Sequence, residues 1–253
     1  MPQLKARCYI PSDAWEGNGR LRLSGREAHH LSRVLRIKPG DWVSCFDGAG
    51  TEAVACVRSV DPRAGIDLEI KEKKRLPPLS GGITLASAIP QSGKIDQIID
   101  QATQFGVRRI IPVTTARGVV RISQEDSKKK LLRWNRIAVE AAKQSKVSHL
   151  PLIDPALPWD RLVCRFKEFD LALVAAVEGP HEPLAGLLKG RERSSILLII
   201  GPEGDLTPEE LAQADAAGAR RFSLGPTVLR CETAAVAALS LISYVLRGGM
   251  ENE

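Results

Sequence analysis

The chain has 253 residues, 43% hydrophobic and 26% charged, with 36 Lys and Arg against 30 Asp and Glu. That length buries a substantial core in one large domain or two smaller ones, and the balance excludes a disordered or collagen-like chain. It also excludes a membrane helix, since no apolar stretch approaches the roughly 18–20 residues a span needs. The opening MPQLKARCYIPSD lacks the apolar centre of a signal peptide, so a cytoplasmic protein is expected. Five cysteines (8, 45, 56, 164 and 231) form no C-x-x-C pair. This argues against a disulfide framework or a zinc site and fits a reducing compartment.

The positive charge is concentrated at one end. Residues 1–40 hold eight Lys and Arg against three acids, which is +5 of the total +6. A basic block of this kind suits nucleic acid better than a high isoelectric point does. Within residues 1–75 the segments DWVSCFD, EAVACVRSV and IDLEIKEK read as short strands between turn signals. One helix interrupts them. Ser24-Gly25-Arg26-Glu27 predicts a capping box, and the helix should run to about Arg36. Ala28, Leu31, Val34 and Leu35 form its apolar stripe, while Arg26, His29, His30, Arg33 and Arg36 recur on the remaining surface. Such a face is either solvated or a phosphate contact, and the surrounding +5 block favours the contact. KEKKRLPPLSGG (71–82) then reads as a linker.

From Ile83 strands and helices alternate. Strands are predicted at 83–89, 108–113, 171–177, 195–200 and 220–224, and helices near 95–105, 126–145, 159–168, 208–217 and 233–247. Gly106 and Gly218 sit where helix-ending glycines belong, and Thr207-Pro208-Glu209-Glu210 combines a capping box with Pro at the first helical position. The alternation implies a mainly parallel sheet covered on both faces, with ligands at the carboxyl ends of its strands.

Two apolar runs stop at Gly-Pro: Ile200 before Gly201-Pro202-Glu203-Gly204, and Leu224 before Gly225-Pro226-Thr227. Either these are ordinary strand-to-helix turns or they wall one pocket. There is no G-x-G-x-x-G after a strand, no P-loop, no G-x-S-x-G elbow and no metal spacing among the four histidines. Gly-Pro turns present rigid backbone N–H and C=O groups, which suit the edge of a purine, and glycine lets the backbone approach a flat ligand. Arg230 and Glu232 follow the second turn, either as a surface ion pair or as reactive groups.

GPEG followed some twenty residues later by LGPTVLRCETAA resembles the C-terminal signature of the SPOUT methyltransferases. More closely, the chain resembles the bacterial 16S ribosomal RNA (uracil-N3-)-methyltransferase family. HHLSRVLRIKPGD (29–41) is similar to that family's PUA-like domain. KIDQIIDQATQFGVRRIIPV (94–113) and RWNRIAVEAAKQS (133–145) are similar to its middle segment. The resemblance implies a deep trefoil knot in an α/β domain and S-adenosylmethionine as methyl donor, with no metal. It further implies a homodimer with its active site at the subunit interface, and N3 of the uridine usually numbered 1498 in 16S ribosomal RNA as target. Four departures stand out: Asp205 where a second glycine is common, Cys231 where threonine is common, Gln104 for a frequent glutamate, and Lys146-Val147 where Gly-Arg is typical.

The expected architecture is thus a PUA-like β-rich RNA-binding domain over 1–75 and a knotted α/β methyltransferase domain over 80–253. The donor is expected to be held by Ile200, Gly201, Pro202, Glu203, Gly204, Leu224, Gly225, Pro226, Val228 and Leu229. Arg230 and Glu232 are the expected catalytic pair, and Arg26, His30, Arg33 and Arg36 the expected RNA contacts. Two rival functions remain: SPOUT methylation of another ribosomal or transfer RNA nucleotide, motivated by Val147, and a non-catalytic ribosome assembly factor, motivated by Asp205.

Overall fold

The computed structural model describes residues 2–15, 19–61, 65–77, 81–91, 93–118 and 124–246, with only the backbone at 124 and 125. The chain forms two compact units. One comprises Met1–Pro78 with Ala142–Leu150, the other Leu79–Ala141 with Pro151–Glu253.

The first unit is a five-stranded sheet built from β1 (Leu4–Tyr9), β2 (Arg20–Leu23), β3 (Trp42–Phe46), β4 (Thr51–Asp61) and β5 (Gly65–Arg75), in the order β1-β3-β4-β5-β2. Only β1 and β3 run parallel. Alternating residues such as Cys8, Val43, Cys45, Ala55, Ile66 and Leu68 face one core, as the period of two requires. Strand β5 continues through the charged segment KEKKR, where Lys74 pairs Glu52 and Arg75 pairs Thr51. The predicted linker from 71 is therefore strand up to Arg75: cross-strand pairing overrides its polar composition. Residues 78–80 of that linker lie outside the described residues.

The helix α1 (Gly25–His29) passes directly into a π-helical turn, His30–Val34. The expected capping box is absent. Ser24 makes no cap hydrogen bond, and Glu27 instead accepts from the Tyr9 amide and the Lys143 ammonium. The apolar stripe also breaks: Ala28 and Leu31 are buried, but Val34 and Leu35 are 62% and 41% exposed. A π turn takes more residues per revolution, so it rotates the later positions off the core. Arg36 then adopts φ of 50° and Ile37 supplies the buried contact, its amide donating to the Leu31 carbonyl at 3.1 Å.

Residues 142–150 pack on the first unit through specific bonds, so the second unit is not continuous from residue 80. Gly50 N donates to Ser148 O at 3.0 Å and Leu150 N to Gly48 O at 2.9 Å. The Arg7 guanidinium bonds the Val147 carbonyl (3.2 Å), Ser148 Oγ (2.8 Å) and Glu52 (2.9 Å), and stacks 4.6 Å from the Phe46 ring centroid.

The second unit holds β6 (Gly82–Ala88), α2 (Ile95–Gln104), β7 (Arg109–Thr114), α3 (Gln124–Ser145, which ends in the first unit), β8 (Leu152–Ile153), β9 (Leu157–Pro158) and α4 (Trp159–Val163). It continues with β10 (Leu171–Ala175), α5 (Leu184–Leu188), β11 (Ser195–Ile200), α6 (Pro208–Ala216), β12 (Arg220–Phe222) and α7 (Cys231–Leu246). The strand order is β12-β10-β11-β6-β7-β8, with β9 beside β7 and every pairing parallel. Apolar runs such as SILLII are buried on both sides, feeding two separate cores. Helix α6 starts as expected: Glu210 N donates to Thr207 Oγ1 (3.2 Å), and Thr207 N to Glu210 Oε2 (2.9 Å). Gly106 and Gly218 take φ of 72° and 91° after their helices. The segment predicted as one helix at 159–168 is α4 followed by a 3-10 turn at Phe166–Glu168. The helix α5 and the two-residue strands β8 and β9 were not signalled by any periodicity, being too short to show one.

Candidate active site

Strands β10, β11 and β12 are parallel neighbours, so their carboxyl ends open on one side of the sheet, and both Gly-Pro turns begin there. After β11, Ile200, Gly201 and Pro202 are buried while Glu203 and Gly204 are exposed. The turn closes through Asp205, at φ of 59°. This left-handed conformation costs a residue with a Cβ roughly 1–2 kcal/mol. The Asp205 carboxylate offsets that cost by accepting from Leu206 N at 2.8 Å and from Val177 N at 2.9 Å. An aspartate thus does here what a glycine would do by conformational freedom, and also ties the turn to the end of β10.

After β12, Ser223 Oγ accepts from Gly225 N at 3.2 Å, and Gly225 takes φ of 121°. A Cβ on Gly225 would meet nothing within 4 Å. It would point into open space beside a cavity of about 380 Å³ lined by Leu224, Gly225, Pro226 and Leu229 with Val177 and His181. A neighbouring cavity of about 580 Å³ is lined by Glu203, Gly204 and Asp205 from the first turn, Val228 from the second, and Val177 and Arg117. The turns therefore share a concave wall, with Val177 common to both cavities.

Seven of the ten expected donor residues line these cavities. Ile200, Gly201 and Pro202 do not; all three are buried. A Cβ on Gly201 would run into Asp205 Oδ1 at 3.0 Å and Leu206 N at 3.2 Å, so Gly201 serves the closure of the turn rather than clearance for a ligand.

The wall fits a nucleoside. Cavities of 300–1,000 Å³ hold ligands of that size, and the Gly225 turn leaves its backbone unshielded. His181 Nε2 is buried at the same cavity and lacks a hydrogen-bond partner, a condition that a polar ligand atom would relieve.

The chain passes from Leu229 in this wall into Arg230, which is exposed, and then into α7. Glu232 sits in the first turn of α7 and is 12% exposed. Lys94 at the start of α2 approaches it, Nζ to Oε1 3.3 Å. The Glu232 carboxyl is held below the usual range chiefly by its own backbone N–H; burial opposes this, and Lys94 and Arg230 add to it. Between the two, burial and the carboxylates of Glu203, Glu232 and Asp205 push the Cys231 thiol up to about 11. Cys231 is thus a protonated packing residue, not a nucleophile.

Arg26 and Arg33 are exposed and His30 half-buried on the helical segment of the first unit, and Arg36 is exposed just past its end. Among the described residues no cluster of three or more His, Cys, Asp or Glu could hold a metal ion, and no helix is long and apolar enough to cross a membrane. The sequence reading missed Lys94, His181 and Val177. Lys94 left one signal: a cation at a helix N-terminus opposes the helix dipole and calls for a carboxylate from elsewhere.

A model for the RNA methyltransferase domain matches residues 77–243, and one for the RNA methyltransferase PUA domain matches 23–69. The chain is similar to ribosomal RNA small subunit methyltransferase E of Bacillus subtilis, 34% identical over 239 residues, covering 89% of this chain and 91% of the relative. Its counterpart in Mycobacterium tuberculosis is 34% identical over 226 residues, covering 88% and 86%. The crystal structure of the Neisseria gonorrhoeae enzyme of that name, bound to S-adenosylmethionine, superposes with a TM-score of 0.82 at 26% identity, covering 96% of this chain and 98% of that one. A Legionella pneumophila structure solved with the same molecule gives 0.80 at 28%, covering 94% and 96%. With matches that run almost end to end and a pocket where parallel strands finish, the chain belongs to the RNA methyltransferase family represented by ribosomal RNA small subunit methyltransferase E.

Proposed function

We propose that this protein methylates 16S ribosomal RNA of the small subunit with S-adenosylmethionine, at N3 of the uridine usually numbered 1498. The observation that carries the reading is the second Gly-Pro turn. Its unshielded backbone at Gly225 walls a nucleoside-sized cavity and leads without interruption into Arg230 and Glu232. The names of the relatives and the bound molecule of the solved structures support the substrate class and the donor.

Leu224, Gly225, Pro226 and Leu229 would hold the donor, with Glu203, Gly204 and Val228 beside them and the buried Ile200, Gly201 and Pro202 opening the first turn. When bound, S-adenosylmethionine supplies an electrophilic methyl group on a sulfonium. Uracil N3 carries a proton and lies between two carbonyls, so the proton must leave as the N–C bond forms and the methyl–sulfur bond breaks, leaving a neutral thioether. Negative charge then develops on the carbonyl oxygens, where the exposed guanidinium of Arg230 would stabilise it. Glu232, ionised and at hand, would accept the proton or orient Arg230.

Asp205 gives the non-catalytic alternative no support, because its carboxylate is committed to the backbone of Val177 and Leu206. Methylation of another nucleotide keeps one supporting observation. Val147 stands where the family's arginine is typical, and its carbonyl is used by Arg7. Mapping N3-methyluridine in ribosomal RNA from cells with and without the gene tests both readings. Loss of the mark at the single expected uridine supports the proposal; loss of a different mark sinks it.

A further inference from the structure

We propose that Lys94 is a positioning residue of this methyl-transfer site, its ammonium fixing the Glu232 carboxylate beside Arg230. The inference rests on the role given above to Glu232.

Two helices meet at that carboxylate, and the chain ahead of one of them touches the first Gly-Pro turn. Lys94 caps the N-terminal end of α2, which packs against α7. Glu232 lies in the first turn of α7. The loop before α2 reaches the first Gly-Pro turn, where Gln91 N donates to Glu203 at 3.4 Å. Lys94 Nζ lies 3.3 Å from Glu232 Oε1 and 3.3 Å from Gln97 Oε1, so two acceptors from two helices fix one ammonium.

The location is costly for a lysine. Lys94 stands at the positive end of α2 and faces the positive end of α7, and each helix N-terminus disfavours a cation. Within α2, Gln97 accepts from the ammonium, while Asp96 of the same turn is paired with Arg133. The Lys94 side chain is 40% exposed, and its charged partner is Glu232, whose side chain is 12% exposed and so less screened than a surface carboxylate. The charged groups facing Glu232 are Lys94 from α2 and Arg230 from the turn, while Cys231 next to it senses the carboxylates Glu203 and Asp205. Two cations thus flank one carboxylate. Lys94 supplies the half that stays with the protein, leaving Arg230 available to the uracil oxygens.

A carboxylate held between two cations needs little reorganisation as the uracil proton departs. Without Lys94 it would turn onto Arg230, neutralising the group that should meet the developing charge. It would also gain basicity, because a cation removed from a carboxylate raises its proton affinity.

The test uses the full-length protein and unmodified small ribosomal subunits. Lys94→Met, Lys94→Arg and Glu232→Gln are compared with the parent for kcat and KM from about pH 5 to 9, together with donor binding by calorimetry. Lys94→Met should lower kcat about ten-fold or more with KM and donor affinity unchanged, as for an interaction made in the transition state. Its acid limb should move up by about half a unit to one unit, and Lys94→Arg should restore both. The carboxyl carbon resonance of Glu232, identified by its loss in Glu232→Gln, should titrate higher in Lys94→Met without donor or RNA. An unchanged kcat, limb and resonance in Lys94→Met, with Glu232→Gln inactive, would overturn the role of Lys94 alone. Full activity in Glu232→Gln would remove the role of Glu232 and the inference with it.

Discussion

Two glycines that look alike in the sequence differ once each is given its missing Cβ. On Gly225 that atom would stand in open space at the cavity wall, and on Gly201 it would press on Asp205 Oδ1 at 3.0 Å. The two positions therefore predict different defects. Gly225→Val should weaken donor binding by at least about ten-fold, because its branches occupy the cavity side of an exposed turn. The strained φ of 121° adds roughly 1–2 kcal/mol of instability. Gly201→Val should lower stability first, because the Asp205 bonds to Val177 and Leu206 must give way. Calorimetric titration with donor, beside urea unfolding of both variants, separates the two. Equal affinity loss with equal stability loss would mean that the two turns play the same part. The distinction was invisible in the sequence, where both turns read Gly-Pro, because it depends on which neighbour lies within 4 Å.

Among the elements, the long, periodic or strongly punctuated ones were legible: the longer parallel strands of the second unit, α2 and α6 with their signals at Gly106, Thr207 and Gly218, and the apolar α7. What the sequence hid was tertiary. The polar end of β5 is strand because Glu52 and Thr51 lie opposite it. Val34 and Leu35 leave the core because a π turn shifts the helix phase. The segment 142–150 joins the first unit through Arg7, Glu52 and Ser148, residues far apart in the chain. Within the site, both turns and the Arg230–Glu232 segment were readable as a motif, whereas Lys94 and His181 come from elsewhere in the sequence. The 142–150 attachment has an acid-labile part. Burial works against the Glu52 charge, but bonds from Ser148, Lys74 and Arg7 outweigh it and hold the carboxyl below its ordinary 4.5. A depressed carboxylate adds stability that is complete above its unfolded value and fades as pH falls through the folded one. Glu52→Gln should therefore cost roughly 1–3 kcal/mol near neutral pH, and much less near pH 3. Urea midpoints of the parent and the variant at both pH values measure this. A gap that is constant across pH would show that the charge of Glu52 is immaterial.

At the scale of the whole molecule, exposed apolar surface points to self-association and exposed positive charge to RNA. On α7, Thr233, Ser240, Leu241 and Tyr244 are exposed and Ala237 half-buried. Leu241 and Tyr244 are 50% and 58% exposed, as is Val228 at 72% in the adjoining turn. Ala237, Leu241 and Tyr244 recur at helical spacing, and with Val228 they suit burial against a second copy. Sedimentation at micromolar protein should give twice the chain mass, and an active monomer would refute an interface site. For RNA, the charge lies elsewhere. Arg26 and Arg33 on the helical segment of the first unit and Arg36 just after it are exposed, within the block that carries +5 of the chain's +6. Only 4% of the residues are aromatic, too few for a broad stacking platform, so recognition should lean on phosphate charge and RNA shape. Each phosphate neutralised releases counterion, and affinity falls with salt by a slope of roughly 0.7–0.9 per contact. Replacing the three arginines with alanine should flatten that slope by about two to three units and weaken binding most at low salt. Donor affinity should not change, because the donor cavity is built wholly from residues of the other unit. The measurement is RNA affinity across a salt series for the parent and the triple variant, with donor calorimetry alongside. A slope that stays put would make the stripe a solvated face, and loss of donor binding would make it a support of the fold.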